Sequence, residues 1–278
     1  MGIESYTPPI GKLLTYGDGR EIGENLKDWP QYLELGIGPE HIPDLIRMAT
    51  DEELRWVESD MLEVWAPIHA WRTLAVLHAE EAIEPLLPLL DEAEDDDWVV
   101  EELPRVYAMI GPAALPALER YLDDKSHSDW SRIIARSCLK EIAEMHPESR
   151  DECVAIFTRQ LERFAENDEE LNAFLIYSLV NLKALEAAPL MERAFAADRV
   201  DTILMGDWDD VQVELGLKSE EEVLEERRNR AVVENVLSSI GAGGSASARH
   251  TSRRSGNDRK KAKNKMAKQS RKKNKKRK

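Results

Sequence analysis

The 278-residue chain contains only two cysteines and no long apolar run. No stretch approaches the roughly 18 consecutive apolar residues of a membrane-spanning helix, so we expect no membrane partner. The first six residues lack the basic region and apolar stretch of a secretory signal. Cys138 and Cys153 both fall inside predicted helices, which argues against a disulfide framework and favours a cytoplasmic location.

The sequence patterns of common catalytic and cofactor sites are also missing. The glycines form no phosphate-binding loop, and no serine stands in a Gly-x-Ser-x-Gly elbow. His69 and His78 are nine residues apart, which does not place them on adjacent helical turns as two ligands of one metal. The acidic run 91–97 lacks the alternating ligands and central glycine of a calcium loop. We therefore predict no catalytic, cofactor-binding or metal-binding residue, and we interpret these histidines as helix-surface or interface residues.

The net charge of −16 combines two oppositely charged parts of the chain. Before Gly241 there are 22 Lys and Arg residues against 53 Asp and Glu residues. From Gly241 onward, 16 basic residues stand against a single acid, Asp258. The sequence therefore predicts an acidic body with a basic tail.

The tail has the composition of a segment that does not fold alone. Residues 241–248 read Gly-Ala-Gly-Gly-Ser-Ala-Ser-Ala, which is typical of a flexible linker, and almost no apolar residue follows. Its charge suits phosphate backbones, and without interleaved aromatic residues any contact with RNA, DNA or the ribosome should be independent of base sequence. A tail that folds back on the acidic body is an equally good interpretation. The predicted polyanion-binding residues are Lys260, Lys261, Lys263, Lys265, Arg271, Lys272, Lys273, Lys275, Lys276, Arg277 and Lys278.

Helical periodicity dominates the acidic body between residues 40 and 240. Apolar residues recur at spacings of three and four, as in Val154, Phe157, Leu161 and Phe164. The helices are predicted in antiparallel pairs: 66–78 with 80–91, 97–110 with 112–123, 129–145 with 148–166, and 168–183 with 185–196. The alternating stretch 211–215 is the one rival strand signal, and we favour a helix or an irregular connection there.

Two short patterns recur at the helix starts. The second helix of several pairs opens with a small residue, an apolar residue, proline and leucine, around Pro85, Pro116 and Pro189. Proline is tolerated there because the first turn has no helical acceptor for its missing N–H. The dipeptide Asp-Trp occurs four times, beginning at residues 28, 97, 129 and 207, and each aspartate is predicted to cap a helix.

These paired helices, at about 30 to 40 residues per repeat, resemble HEAT repeats, and the shorter bacterial variety of phycobilisome-lyase-like proteins is the most similar. Residues 40–54 and 65–71 also resemble an uncharacterised bacterial family, domain of unknown function 1186. The resemblance implies an α-solenoid without an established activity. Some relatives end in a cysteine-rich zinc motif, but this chain has no cysteine after Cys153, so no zinc role carries over.

We predict an all-α fold, a HEAT-like α-solenoid of about four to six antiparallel helix pairs stacked in a right-handed superhelix, with a disordered C-terminal tail. Residues 1–38 are predicted to form an irregular N-terminal cap, 39–240 the repeat domain, and 241–278 the linker and tail. A long helix near 219–240 is expected to close the far end of the array. Its predicted apolar face consists of Val223, Leu224, Val232, Val236 and Leu237.

The predicted function is a non-enzymatic interaction scaffold. The solenoid face would bind a protein partner, and the tail would contact polyanions. One alternative is a nucleic-acid- or ribosome-associated factor that acts through the tail, and another is a bilin-lyase-like enzyme or accessory factor. A scaffold predicts a continuous concave groove lined by second helices, whereas an enzyme predicts a compact pocket with converging titratable groups.

Overall fold

The computed structural model describes residues 6–23, 25–55, 57 and 61–241. All regular elements in these ranges are helices, with no strand among them, so the all-α prediction is confirmed for the described residues. The chain divides after Glu220 into two units. No helix in the described part of the chain is long and apolar enough to cross a membrane.

The helices follow one another with short connections. The α-helices of the described residues are α1 (Ile42–Ala49), α2 (Glu52–Arg55), α3 (Ala66–Val76), α4 (Ile83–Leu86), α5 (Asp97–Ile110), α6 (Leu115–Asp123), α7 (Asp129–Met145), α8 (Arg150–Leu161), α9 (Glu169–Asn181), α10 (Ala188–Ala196), α11 (Thr202–Met205), α12 (Trp208–Glu214) and α13 (Glu220–Gly241). The 3-10 helices are Ile10–Thr15, Leu26–Leu35, Pro39–His41, Leu62–Trp65, Glu80–Ala82, Leu87–Glu92, Pro112–Ala114, Pro147–Ser149 and Leu185–Ala187. The alternating stretch 211–215 ends α12, as the helical interpretation predicted.

Within the first unit the helices pack in two series. We call α3, α5, α7 and α9 the first helices and α4, α6, α8 and α10 the second helices. Each first helix packs against the next one along the chain, from α3 to α9. The second helices α6, α8 and α10 also pack in order, while α6 and α8 both contact α7, and α8 contacts α9. The core therefore runs between two series of neighbouring helices.

Helix α3 is buried on all sides, because the N-terminal segment covers the face that its neighbours leave open. Each residue from 66 to 75 is buried. The 3-10 helices Ile10–Thr15 and Leu26–Leu35 both pack on α3. Trp29 and Tyr32 in the latter are fully buried, and the Trp29 indole N–H donates to the Gly23 carbonyl at 2.7 Å. The segment predicted as an irregular cap thus contains two helical stretches that bury aromatic residues.

The proline pattern marks the start of second helices. Pro116 and Pro189 are the second residues of α6 and α10, each directly after a 3-10 turn. Both prolines therefore lie in the first helical turn, where an N–H is not required. Pro85 departs from the pattern because α4 is only four residues long and continues as the 3-10 helix Leu87–Glu92. The helix predicted over 80–91 is thus three short pieces.

Three of the four Asp-Trp dipeptides lie at helix starts, while Asp28 is the third residue of the 3-10 helix Leu26–Leu35. Asp207 does cap α12 through its side chain. Helices α5 and α7 are instead capped by the preceding residues, Asp96 and Ser128, while Asp97 and Asp129 are the first residues inside the helices. An acidic residue in the first turn still interacts favourably with the positive end of the helix dipole. The cap prediction was wrong by one residue at these two helices.

Helix α13 confirms the long helix predicted near 219–240, but not the burial of its apolar face. Val223 is 4% exposed, whereas Leu224, Val232 and Leu237 are 50%, 60% and 63% exposed. Three of the five residues of the predicted apolar face therefore remain in solvent, and the Val236 side chain lies outside the described residues.

Candidate functional site

A surface groove with a volume of about 490 Å³ lies between the second helices α6 and α8. Both helices are amphipathic: their apolar residues face the core, and their charged residues line the groove. Leu122 and Ile156 provide an apolar floor, since both are buried. The lining residues are Glu119, Arg120, Leu122, Asp123, Ile156, Arg159, Gln160, Glu162 and Arg163.

Two ion pairs join the walls of the groove. Arg159 on α8 donates from Nε to Glu119 Oε1 on α6 at 3.0 Å, and Arg163 one turn further pairs with Asp123. Because these side chains are largely exposed, each pair should contribute little to stability. Their physical effect is to hold the acids and bases of the two helices in a fixed register.

A chain of buried amides supports the groove from below. The Gln160 amide donates to Asn167 Oδ1 at 3.1 Å, and Asn167 in turn donates to Asn172 Oδ1 at 3.0 Å. Asn172 ends the chain by donating to the carbonyl of Arg199 at 2.7 Å. Gln160 also accepts a hydrogen bond from Arg163 through its Oε1. These hydrogen bonds link Arg163 in the groove to the connection that follows α8, and from there to the connection that follows α10.

The groove has the chemical character of a protein-binding surface. Its acids and bases alternate around an apolar floor, and most are engaged with one another across the walls. Glu162 and Arg120 are exposed at its edge. An apolar centre with a polar rim is typical of protein interfaces. The sequence identified α6 and α8 as second helices, but it gave no sign of the amide chain.

The N-terminal segment is fastened by a buried polar cluster around Arg72. Arg72 donates from Nη2 to Glu102 Oε1 at 2.7 Å and from Nε to Glu102 Oε2 at 3.0 Å, and both side chains are buried. Its Nη1 donates to the carbonyls of Gly19 and Ile22. The guanidinium thus joins α3, α5 and the N-terminal segment.

His69 belongs to the same cluster and is fully buried. One ring nitrogen, Nε2, lies 3.0 Å from the Gly17 carbonyl and so donates to it, while Nδ1 accepts from the Tyr32 hydroxyl at 2.8 Å. Burial is the main cause that lowers the pKa of His69 to about 4, and the nearby Arg72 also lowers it. His69 is therefore neutral at pH 7. It is a core residue, whereas the sequence indicated a surface or interface position.

The other residues considered for a catalytic or metal-binding role are His78 and the two cysteines. His78, which the sequence considered together with His69, lies 2.6 Å from the Met109 carbonyl through its Nδ1. Cys138 and Cys153 are free and buried, and burial raises the pKa of the Cys153 thiol to about 12 and that of Cys138 further. No cluster of three or more His, Cys, Asp or Glu residues suited to a metal occurs within the described ranges.

The predicted polyanion-binding residues, Lys260 to Lys278, lie outside the described residues. So does the linker after Gly241. The contact of the tail with RNA, DNA or the acidic body therefore stays a prediction from charge and composition.

Comparison with known protein families assigns the chain to one of them. Residues 66–242 match the model of a family described as a protein of unknown function, DUF1186. The match covers more than half of the chain, which belongs to this family. A search of curated proteins and a search of solved structures gave no match. The match includes the groove helices and starts at α3, after most of the N-terminal segment that covers α3.

Proposed function

We propose that the first unit is a HEAT-like α-solenoid. The in-order packing of α3, α5, α7 and α9, and of α6, α8 and α10 beside them, supports this arrangement. Ion pairs also join successive second helices, between residues 30 to 40 positions apart in the sequence. These pairs are Glu84–Arg120 and Glu119–Arg159. In a solenoid each repeat contacts its neighbours, so contacts of this kind recur from one repeat to the next.

The function we propose is a non-enzymatic, cytoplasmic scaffold that binds a protein partner through the second helices. The observation that carries the proposal is the groove between α6 and α8, whose walls are held by ion pairs and whose floor rests on buried amides. A preformed groove loses little conformational entropy when it binds. The net negative charge of residues 1–240 favours a partner with a basic binding segment.

Two alternative functions make different structural predictions. A bilin-lyase-like enzyme or accessory factor would need titratable groups that converge on one reacting centre, whereas the groove residues pair with each other across its walls. A nucleic-acid- or ribosome-associated factor would act through the basic tail and would not need the groove. Its support is the charge of the tail.

The scaffold proposal is tested by reversing charge at the edge of the groove. The variant Glu162→Arg changes one exposed side chain at this edge and leaves the Glu84–Arg120 pair intact. The matched control is Glu152→Arg, an exposed residue of α8 that does not line the groove. Proteins retained from cell extract by each immobilised chain are quantified by mass spectrometry. Loss of the same retained protein from the groove variant, but not from the control, is expected, and equal retention by all three chains contradicts the proposal.

A further inference from the structure

Arg136 on α7 differs from the other buried arginines of the described residues. Four arginines are buried, and three of them form an ion pair with an acid. These pairs are Arg55 with Glu92, Arg72 with Glu102, and Arg132 with Asp129. Arg136 is 4% exposed and forms no ion pair with an acid of the described residues.

The contacts of Arg136 are neutral and incomplete. Its Nη1 donates to the Ser178 hydroxyl of α9 at 3.0 Å, and Nη2 donates to the Ser137 hydroxyl at 2.8 Å. The guanidinium carbon lies 5.0 Å from the centre of the Phe174 ring. The buried Nε has no acceptor among the described residues. Burial lowers the pKa of Arg136 to about 10, so the group remains charged at pH 7.

A buried charge is unfavourable when no carboxylate contacts it, as at Arg136 among the described residues. Desolvation of a guanidinium is offset only when an acid and further acceptors complete its hydrogen bonds. Buried donors without an acceptor are uncommon in folded proteins and call for a physical explanation. An apolar residue of similar size at position 136 would avoid this penalty. The arrangement fits a group whose partner comes from another molecule.

The cluster around Arg72 shows how this fold completes such a guanidinium. Like Arg136, Arg72 extends from one first helix to the next, and Glu102 of that helix supplies a carboxylate. The N-terminal segment then lies across the helices and supplies the carbonyls of Gly19 and Ile22. At Arg136 the neighbouring helix offers the Ser178 hydroxyl and the Phe174 ring, and no carboxylate or covering carbonyl among the described residues contacts the guanidinium.

We propose that Arg136 anchors a non-helical peptide segment of a protein partner, which lies across α7 and α9 and supplies a carboxylate to the guanidinium. The inference rests on the proposed scaffold function and assigns it a second contact, on different helices from the groove. Nearby side chains with access to solvent are Ser137, which is partly exposed and accepts from Arg136, and Tyr177, which is 44% exposed. Arginine suits this role because its planar fork binds both oxygens of a carboxylate.

The acidic body gives this contact a distinctive salt dependence. Residues 1–240 carry a large excess of acids, so a carboxylate approaching from solvent is repelled at long range. Salt screens that repulsion over about 8 Å at physiological ionic strength, but it weakens a buried contact much less. Binding should therefore hold or strengthen as salt rises, opposite to a polyanion held by the basic tail.

The test uses two blocked tripeptides as probes with the full chain, acetyl-Gly-Asp-Gly-amide and acetyl-Gly-Asn-Gly-amide. Binding is followed by the NMR signal of the Arg136 Nε–H group, which reports this site and not the tail. We expect the Asp probe to shift the signal with saturation and to bind at least about tenfold more tightly than the Asn probe, because a charge-assisted pair replaces a neutral one. Equal binding of the two probes overturns the proposal.

Two substitutions separate a binding role from a structural one. Arg136→Lys keeps the charge but lacks the fork, so the Asp probe should bind more weakly, as followed by the signals of the Ser137 and Ser178 amides. Arg136→Met should lose the binding while its thermal unfolding midpoint stays the same or rises. A lower midpoint would show that the guanidinium serves the fold and would overturn the inference. Probe binding by the groove variant Glu162→Arg should be unchanged, so a failure of the groove proposal and a failure of the Arg136 proposal are distinguished.

Discussion

Individual buried polar residues hold the N-terminal segment of this protein in place. Arg72, Glu102, Tyr32 and His69 are all at most 2% exposed, and they connect through hydrogen bonds to backbone carbonyls of residues 17–22. A fully satisfied polar cluster of this kind specifies one position for the segment, because any shift leaves buried groups without partners. The segment in turn covers the face of α3 that its helical neighbours leave open.

Replacement of Arg72 should therefore be severe. Arg72→Met leaves the Glu102 carboxylate buried without a counter-ion, and we expect a loss of about 3–5 kcal/mol in the free energy of unfolding. The double variant Arg72→Met with Glu102→Leu should recover much of it, because apolar residues can replace a buried ion pair. Urea unfolding of the three chains measures both effects. A single variant as stable as the wild type would show that the pair does not hold the segment.

His69 should make the fold sensitive to mild acid. Because its pKa is about 4 when folded and has an ordinary value of 6.5 when unfolded, the unfolded chain gains a proton in this interval that the folded chain does not. The contribution of neutral His69 to the free energy of unfolding is fully present above pH 6.5 and is lost as the pH falls toward 4. The total loss is at most about 3 kcal/mol.

The variant His69→Gln tests this pH dependence. It should be less stable than the wild type at pH 7, and the difference should narrow steadily between pH 6.5 and 4.5 in urea unfolding. Tyr32→Phe removes a hydrogen bond to the same ring but keeps the histidine, so its deficit should stay nearly constant over this range. A constant deficit for His69→Gln would mean that His69 does not resist protonation in the folded chain.

These residue-scale roles could not be predicted from the sequence. Arg72 meets Glu102 thirty residues away and Gly19 more than fifty residues away, and local patterns carry no information on such distant pairs. Patterns within one turn were more useful, since the Asp-Trp dipeptides correctly marked the starts of α5 and α7. The cap itself fell one residue earlier, because an aspartate is nearly as favourable inside the first turn as at the cap.

At the scale of elements, the spacing of apolar residues and prolines predicted most helices of the first unit. Helices α5, α6 and α7 begin within a few residues of their predicted starts. The exception is the segment 80–92, where Pro85 and Pro88 interrupt the α-helical hydrogen bonds and the chain adopts 3-10 turns. The exposed apolar residues of α13 were not foreseen, since periodicity shows that a helix has an apolar face but not whether that face is covered.

The connections beside the groove should depend on Asn172. Asn172→Ala removes the donors to the carbonyls of Phe164 and Arg199, two part-buried contacts, and the buried acceptor of Asn167. We expect a loss of about 2–4 kcal/mol in the free energy of unfolding.

Hydrogen exchange locates the effect of that substitution. Amide exchange should accelerate in residues 162–168 and 197–201, the two connections that Asn172 joins. The control Asn181→Ala changes an exposed asparagine of the same helix and should leave both exchange and stability near the wild-type values. Unchanged exchange in the two connections after Asn172→Ala would show that the amide chain does not support the groove.

At the scale of the whole molecule, helical periodicity predicted the all-α class of the described residues, and composition predicted the separation of charge along the chain. A groove lined by second helices was expected of a scaffold, but its position and volume could not be predicted, because they depend on how α6 and α8 are spaced. The separation of charge has a physical consequence of its own. Residues 1–240 repel polyanions, so any attraction to nucleic acid has to come from the residues that follow.

A salt titration tests this separation on the full chain and on a chain ending at residue 240. With fluorescent single-stranded DNA as probe, the full chain should bind at about 50 mM salt and lose most of its affinity by about 300 mM, because counterions released from the DNA drive the contact. A full-length variant with glutamine for every Lys and Arg in 271–278 should show a shallower salt dependence, and the shortened chain should not bind. Binding by the shortened chain would contradict the repulsion argument. Failure of both chains to bind at low salt would instead show that the acidic body neutralises the basic tail. That outcome is expected when two oppositely charged parts of one chain pair with each other.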